Sequence, residues 1–159
     1  FAMNALLSPP LATTTFDTGP RVLFVDDSEL LRLLVSLMLR EHGYEVETAH
    51  DGFDGWQRTA EQMHTYDFVI TDLDMPRLNG LELIRLLREN GCHGRVVVYS
   101  GSICPSVRNR LETLGVDAVV PKHASPGRLI ETISTLVGQL PDSRENPLRL
   151  PFTSDPPPA

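Results

Sequence analysis

Three aspartates stand where chemistry would need them. Asp26 and Asp27 directly follow the apolar run Arg21 to Val25, and Asp72 directly follows Phe68 to Thr71. If both runs are buried parallel strands, their carboxylates meet at one edge of a sheet. Three carboxylates within a few ångströms repel one another, and burying them unpaired is costly. A divalent cation removes that repulsion. Oxygen ligands without His or Cys favour Mg²⁺, with Mn²⁺ as a substitute. The plainer reading is that these residues cap helices beginning near Ser28 and Leu81, which serves for Asp27 alone but not for three acids at adjacent strand ends. Two further runs end in Ser100 and Lys122. A hydroxyl can donate to a phosphoryl oxygen and an ammonium can pair with it. Gly101, beside Ser100, leaves space for an incoming group. Lys122 is the only lysine in a chain whose other cations are arginines, which suggests a place needing a compact point charge.

The elements that would carry these residues alternate. Arg21–Val25, Glu45–Ala49, Phe68–Thr71, Arg95–Tyr99 and Ala118–Val120 read as strands. Helices follow each. Ser28 to His42 carries Leu30, Leu31, Leu34, Leu37 and Met38 on a helical stripe and stops at Gly43. Asp51 opens a helix with Trp56 and Ala60, Leu81 to Glu89 forms another, and Pro105 to Leu114 a fourth. The last starts at Ser125-Pro126, with Ser as N-cap and Pro in the first turn. Strand and helix thus alternate five times. Apolar strands followed by helices imply a doubly wound parallel sheet covered on both faces. Ligands of such sheets sit beyond the carboxyl ends of the strands. Here those ends are Asp26-Asp27, His50-Asp51, Asp72, Ser100-Gly101 and Pro121-Lys122.

The chain has 159 residues, 41% hydrophobic, with a formal charge of −7. That allows one packed domain, over residues 21–140. Residues 1–20 read as a disordered tail or expression remnant, and the Pro-rich residues 141–159 as a tail or linker. The acidic balance argues against nucleic-acid binding. No apolar run approaches the ~18 residues of a membrane helix. Cys92 and Cys104 form no C-x-x-C pair, so two reduced thiols and a cytoplasmic location are expected.

Four stretches carry a family resemblance: VLFVDDS from Val22, FVITDLDMPRLNGLEL from Phe68, VVVYSGS from Val96 and GVDAVVPK from Gly115. Together they resemble the receiver domain of two-component response regulators, over Arg21 to about Leu140. The resemblance implies a flavodoxin-like (βα)5 sheet of strand order 2-1-3-4-5. It implies that Asp72 is the phosphoacceptor, that Asp27 ligates Mg²⁺ directly and Asp26 through water, and that the backbone carbonyl of Asp74 completes the metal shell. Ser100 matches the hydroxyl that moves toward the phosphoryl group, and Lys122 the lysine that pairs with the acceptor or phosphoryl oxygens. The implied partners are a sensor histidine kinase or histidine phosphotransfer protein as donor and an unspecified downstream protein. The implied role is a signalling switch, not a turnover enzyme.

Four positions set this chain apart from the family pattern. His123 replaces the proline that normally follows the lysine with a cis bond. A cis bond before a non-proline residue costs about 2.5–4 kcal/mol, so a trans Lys122–His123 bond is expected. Val119 stands where an aromatic usually turns with the activating hydroxyl; Tyr99 should point to the other face, so the signal is expected to leave through the loop and helix after Ser100. Asp74 and Ser102 border the path of hydrolytic water and are expected to tune the lifetime of the phosphorylated state. Two rival readings exist. One is a pseudo-receiver that serves only as an interaction module. The other is a haloacid-dehalogenase-like phosphatase, suggested by Asp72-Leu73-Asp74. That family places its D-x-D after the first strand and its acidic pair late, the reverse of the order here.

Overall fold

A computed structural model describes residues 19–62 and 65–140. The tails expected at 1–20 and 141–159 lie outside the described residues, apart from Gly19 and Pro20. Ten elements alternate: β1 (Arg21–Val25), α1 (Glu29–Glu41), β2 (Glu45–Ala49), α2 (Gly52–Glu61), β3 (Phe68–Thr71), α3 (Gly80–Glu89), β4 (Arg95–Ser100), α4 (Pro105–Thr113), β5 (Ala118–Pro121) and α5 (Pro126–Val137). The strands form one parallel sheet in the order β2-β1-β3-β4-β5, the order the family resemblance implied. β1 pairs with β2 and β3 on its two sides, so the chain reverses direction across the sheet at β1 and β3.

Alternation along the central strands splits the core into two layers. Val22, Phe24, Phe68, Ile70, Val97 and Tyr99 pack against Val35 and Leu39 of α1 and Leu129 and Ile133 of α5. Leu23, Val25, Val69, Val96 and Val98 pack against Leu83, Ile84 and Leu87 of α3 and Leu111 of α4. Tyr99 therefore lies on the α1–α5 face, as its strand position requires. Gly55 lets α2 approach the sheet, since a Cβ there would press on the Val25 methyls.

The caps are local and explicit. The Ser28 hydroxyl accepts from Leu31 N at 3.3 Å, and Asn79 and Glu82 form a capping box at the start of α3. Both helices flanking the acidic residues thus bring caps of their own. Ser125 precedes α5, but its hydroxyl makes no cap hydrogen bond; Pro126 starts that helix through its fixed φ alone. The apolar stripe read on the first helix needs a larger correction. Leu31 and Met38 do pack on the core, but Leu30, Leu34 and Leu37 face solvent at 66%, 49% and 48% exposure, joined by Leu33 at 55%. Val35 and Leu39 fill the core-facing side instead. No helix among the described residues is long and apolar enough to cross a membrane.

Candidate functional site: an acidic pocket at the strand ends

Sheet hydrogen bonds fix where the chemistry stands. Asp26 N donates to Ala49 O, Asp72 N to Val25 O, and Lys122 N to Ser100 O, so each residue sits one step past its strand. Carboxylate oxygens of Asp26, Asp27 and Asp72 all lie within 4.8 Å of one another. Asp26 and Asp72 are buried and Asp27 is exposed, giving the pocket a dry floor and an open side.

Lys122 Nζ lies 2.7 Å from both Asp26 Oδ2 and Asp72 Oδ2. It donates a hydrogen bond to Asp72 and forms an ion pair with Asp26. Burial alone would pull the Lys122 ammonium down, but its bonds to the two carboxylates outweigh this and hold it above its ordinary value. Burial pushes the Asp26 carboxyl up, and Lys122 with the Ser28 N–H, which donates to Asp26 Oδ1 at 2.8 Å, offsets only part of that. Asp72 Oδ1 accepts from Leu73 N at 2.7 Å, which leaves Oδ2 facing Lys122.

Two buried side-chain oxygens among the described residues have no hydrogen-bond partner: Asp26 Oδ2 and Ser100 Oγ. A buried hydroxyl is rarely left so, and three carboxylates sharing one ammonium keep an excess of negative charge that fits a hard cation. The residues present therefore suit Mg²⁺. Asp26, Asp27 and Asp72 would hold it, and the ion would supply charge neutralisation for a phosphoryl oxygen.

The other expected residues sit around the same mouth. Asp74 is exposed, and its N–H lies 3.4 Å from Asp72 Oδ1. A Cβ at Gly101 would meet nothing within 4 Å, so the pocket is open there. Asp27, Asp74 and Ser102 line a groove of about 1220 Å³ that runs between α3 and α4 past Met75, Ile103 and Val107. Val119 is half-buried among the α3–α4 layer, on the face opposite Tyr99. The Lys122–His123 bond is trans, and no cis peptide occurs among the described residues. Gly80 is required by close approach, because a Cβ there would collide with the Asp72 carbonyl.

The sequence marks His50-Asp51 as a strand end but assigns it no role. In the structure Asp51 is buried and takes a salt bridge from Arg77, in the loop between β3 and α3. No signal along the chain marks this pair, which is separated by 26 residues.

Comparison with known proteins agrees with this geometry. The model of the response regulator receiver domain family matches residues 22–134, and the chain belongs to that family. It is 29% identical over 120 residues to the CAI-1 autoinducer sensor kinase/phosphatase CqsS of Vibrio cholerae, covering 74% of this chain and 17% of that protein. It is 32% identical over 117 residues to the response regulator MprA of Mycobacterium ulcerans, covering 74% of this chain and 50% of that protein. The chain thus spans half or less of the length of these two relatives. Among solved structures, the response regulator TrrA of Thermotoga maritima in complex with Mg²⁺–BeF superposes with a TM-score of 0.66 at 29% identity, covering 74% of this chain and 99% of that one. Family and strand order together identify the chain as a receiver domain of two-component systems.

Proposed function

We propose that Asp72 accepts a phosphoryl group from a phosphohistidine on a sensor histidine kinase or histidine phosphotransfer protein. In the transfer, an Asp72 carboxylate oxygen forms the new bond to phosphorus as the P–N bond to the donor imidazole breaks. The imidazole keeps the electron pair and takes up a proton. Little covalent work falls to the protein, so positioning and charge neutralisation carry the rate. Lys122 moves its contact from the acceptor to a phosphoryl oxygen, and the unpartnered Ser100 hydroxyl donates to another. Asp26, Asp27 and Asp72, with the Asp74 carbonyl, would hold Mg²⁺, which would neutralise charge on a phosphoryl oxygen. The altered contacts of Ser100 and Lys122 then switch binding of a downstream protein. The protein works in the cytoplasm as a switch, without turnover of a substrate.

One observation carries this reading: three carboxylates gathered within 4.8 Å, two of them bridged by the chain's sole lysine. Donor access supports it. The four exposed leucines of α1 begin three residues beyond Asp27 and run down the helix from the pocket's edge, so they offer a helix delivering phosphohistidine an apolar ridge to pack on. The test is labelling by acetyl phosphate with Mg²⁺, read by intact mass. Wild type should gain one phosphoryl group, and Asp72→Asn none. An unlabelled wild type would make the protein an interaction module instead.

A further inference from the structure

The loop from Leu73 to Asn79 contains Asp74, which lines the groove beside Asp27 and whose carbonyl the resemblance assigns to the metal shell. Its start curls on Asp72, with Leu73 N bonded to the carboxylate, and its end closes through Gly80 N to Leu73 O at 3.0 Å. Neither contact fixes the middle. That is held from the end of β2, two strands away across β1. Gly52 N donates to Leu78 O at 3.1 Å, and a Cβ at Gly52 would strike that same carbonyl. Beside it the Arg77 guanidinium grips Asp51: Nε donates to Oδ2 at 2.6 Å and Nη2 pairs with the same oxygen. Asp51 Oδ1 is occupied by Asp54 N at 2.9 Å, so the carboxylate is fully committed.

Arg77 is held on its other sides as well. Its guanidinium lies over the Phe53 ring, 5.4 Å from the centroid. Nη2 is 3.0 Å from His50 Nε2, and His50 Nδ1 is 2.8 Å from Asp54 Oδ2. Because a guanidinium can only donate, His50 Nε2 accepts and Nδ1 carries the proton toward Asp54. The backbone shows what this hold sustains. Arg77 has φ +66°, and it is the only non-glycine residue at positive φ among the described residues. An L-residue with a long side chain is disfavoured there, and surrounding contacts must keep it in place.

We propose that Arg77, latched to the buried Asp51, is a positioning residue for the metal site: it fixes the loop between β3 and α3 so that the Asp74 carbonyl points at the cation. This rests on the Mg²⁺ reading above. Arg77 itself touches neither the cation nor the phosphoryl group. The latch ties two strand-end loops together and makes the β2–α2 loop part of the acceptor site.

Calorimetric titration of Mg²⁺ into the whole chain tests this, with melting curves and acetyl phosphate labelling alongside. Arg77→Asn suits the test because Asn tolerates positive φ yet cannot reach as a fork. Asp51→Asn removes the other partner and guards against one variant failing to fold. Each should weaken Mg²⁺ binding about tenfold, and the double variant should lose little more than either alone, because both act through one contact. Arg77→Lys, keeping charge without the fork, should recover part of the affinity. Variants that melt earlier but bind Mg²⁺ like wild type would overturn the latch and leave Asp72 as acceptor. A wild type that neither binds Mg²⁺ nor takes phosphate would overturn both.

Discussion

Burial raises the Asp26 carboxyl above its ordinary value, and its neighbours only partly compensate. A residue kept for ligation at the expense of stability has a recognisable signature. Asp26→Asn should raise Tm in metal-free buffer by roughly 4 °C, the shift that about 1 kcal/mol produces in a domain of this size. The same variant should lose most of the stabilisation that added Mg²⁺ gives wild type, since a ligand stabilises only the state that binds it. Thermal melts with and without Mg²⁺ check both signs. Asp74 and Ser102 belong to the same scale. They line the open groove beside Asp27, which on the proposed function is the route for water to an acyl phosphate on Asp72. Asp74→Asn and Ser102→Ala should each change the autodephosphorylation half-life severalfold, followed by loss of the phosphorylated mass. Unchanged decay in both would remove these residues from the hydrolytic path.

α1 presents two apolar faces, and only one belongs to the core. Val35 and Leu39 lock the helix to the sheet, while Leu30, Leu33, Leu34 and Leu37 form an i, i+3, i+4, i+7 ridge in water. Helix ridges of this spacing pack against other helices. Leu34→Glu should leave stability within about 0.5 kcal/mol, as exposed substitutions do. It should slow transfer from a phosphohistidine donor at least ~10-fold while acetyl phosphate labelling stays unchanged, because the small donor needs no docking face. Equal loss with both donors would place the defect in the pocket rather than on the ridge. The sequence could not separate the two faces. Apolar residues occupy nearly every position from Leu30 to Leu39, so periodicity alone selects no side.

For the molecule as a whole, ionisation links the loops around the sheet edge to stability. Asp51 and Asp54 are both held below the ordinary carboxylate range. Burial alone would raise each, but hydrogen bonds from backbone N–H groups and the ion pairs with Arg77 and Arg58 outweigh it. A carboxyl lowered by folding contributes stability above its unfolded pKa of about 3.9 and loses it as pH falls through the lower folded value. Unfolding midpoints in urea should therefore decline as pH drops below about 4, and Asp51→Asn should flatten that decline. Lys122 acts at the other end: raised by Asp26 and Asp72, it contributes stability that is lost only as pH climbs through its elevated value, beyond 10.5.

The alternation of five strands with five helices, and the placing of Asp26, Asp27, Asp72, Ser100 and Lys122 at strand ends, were legible in the sequence. Each comes from local pattern: buried strands are continuous apolar runs, and the residue just past a strand in a parallel sheet faces the ligand edge. Tertiary structure alone decided the rest. It turned the leucine ridge of α1 outward, brought Lys122 within 2.7 Å of two carboxylates at once, and left Ser100 Oγ without a partner. It also joined Arg77 to Asp51 across 26 residues of chain. Such pairings depend on how loops from separate strands meet in space, and no periodicity along one segment encodes that meeting.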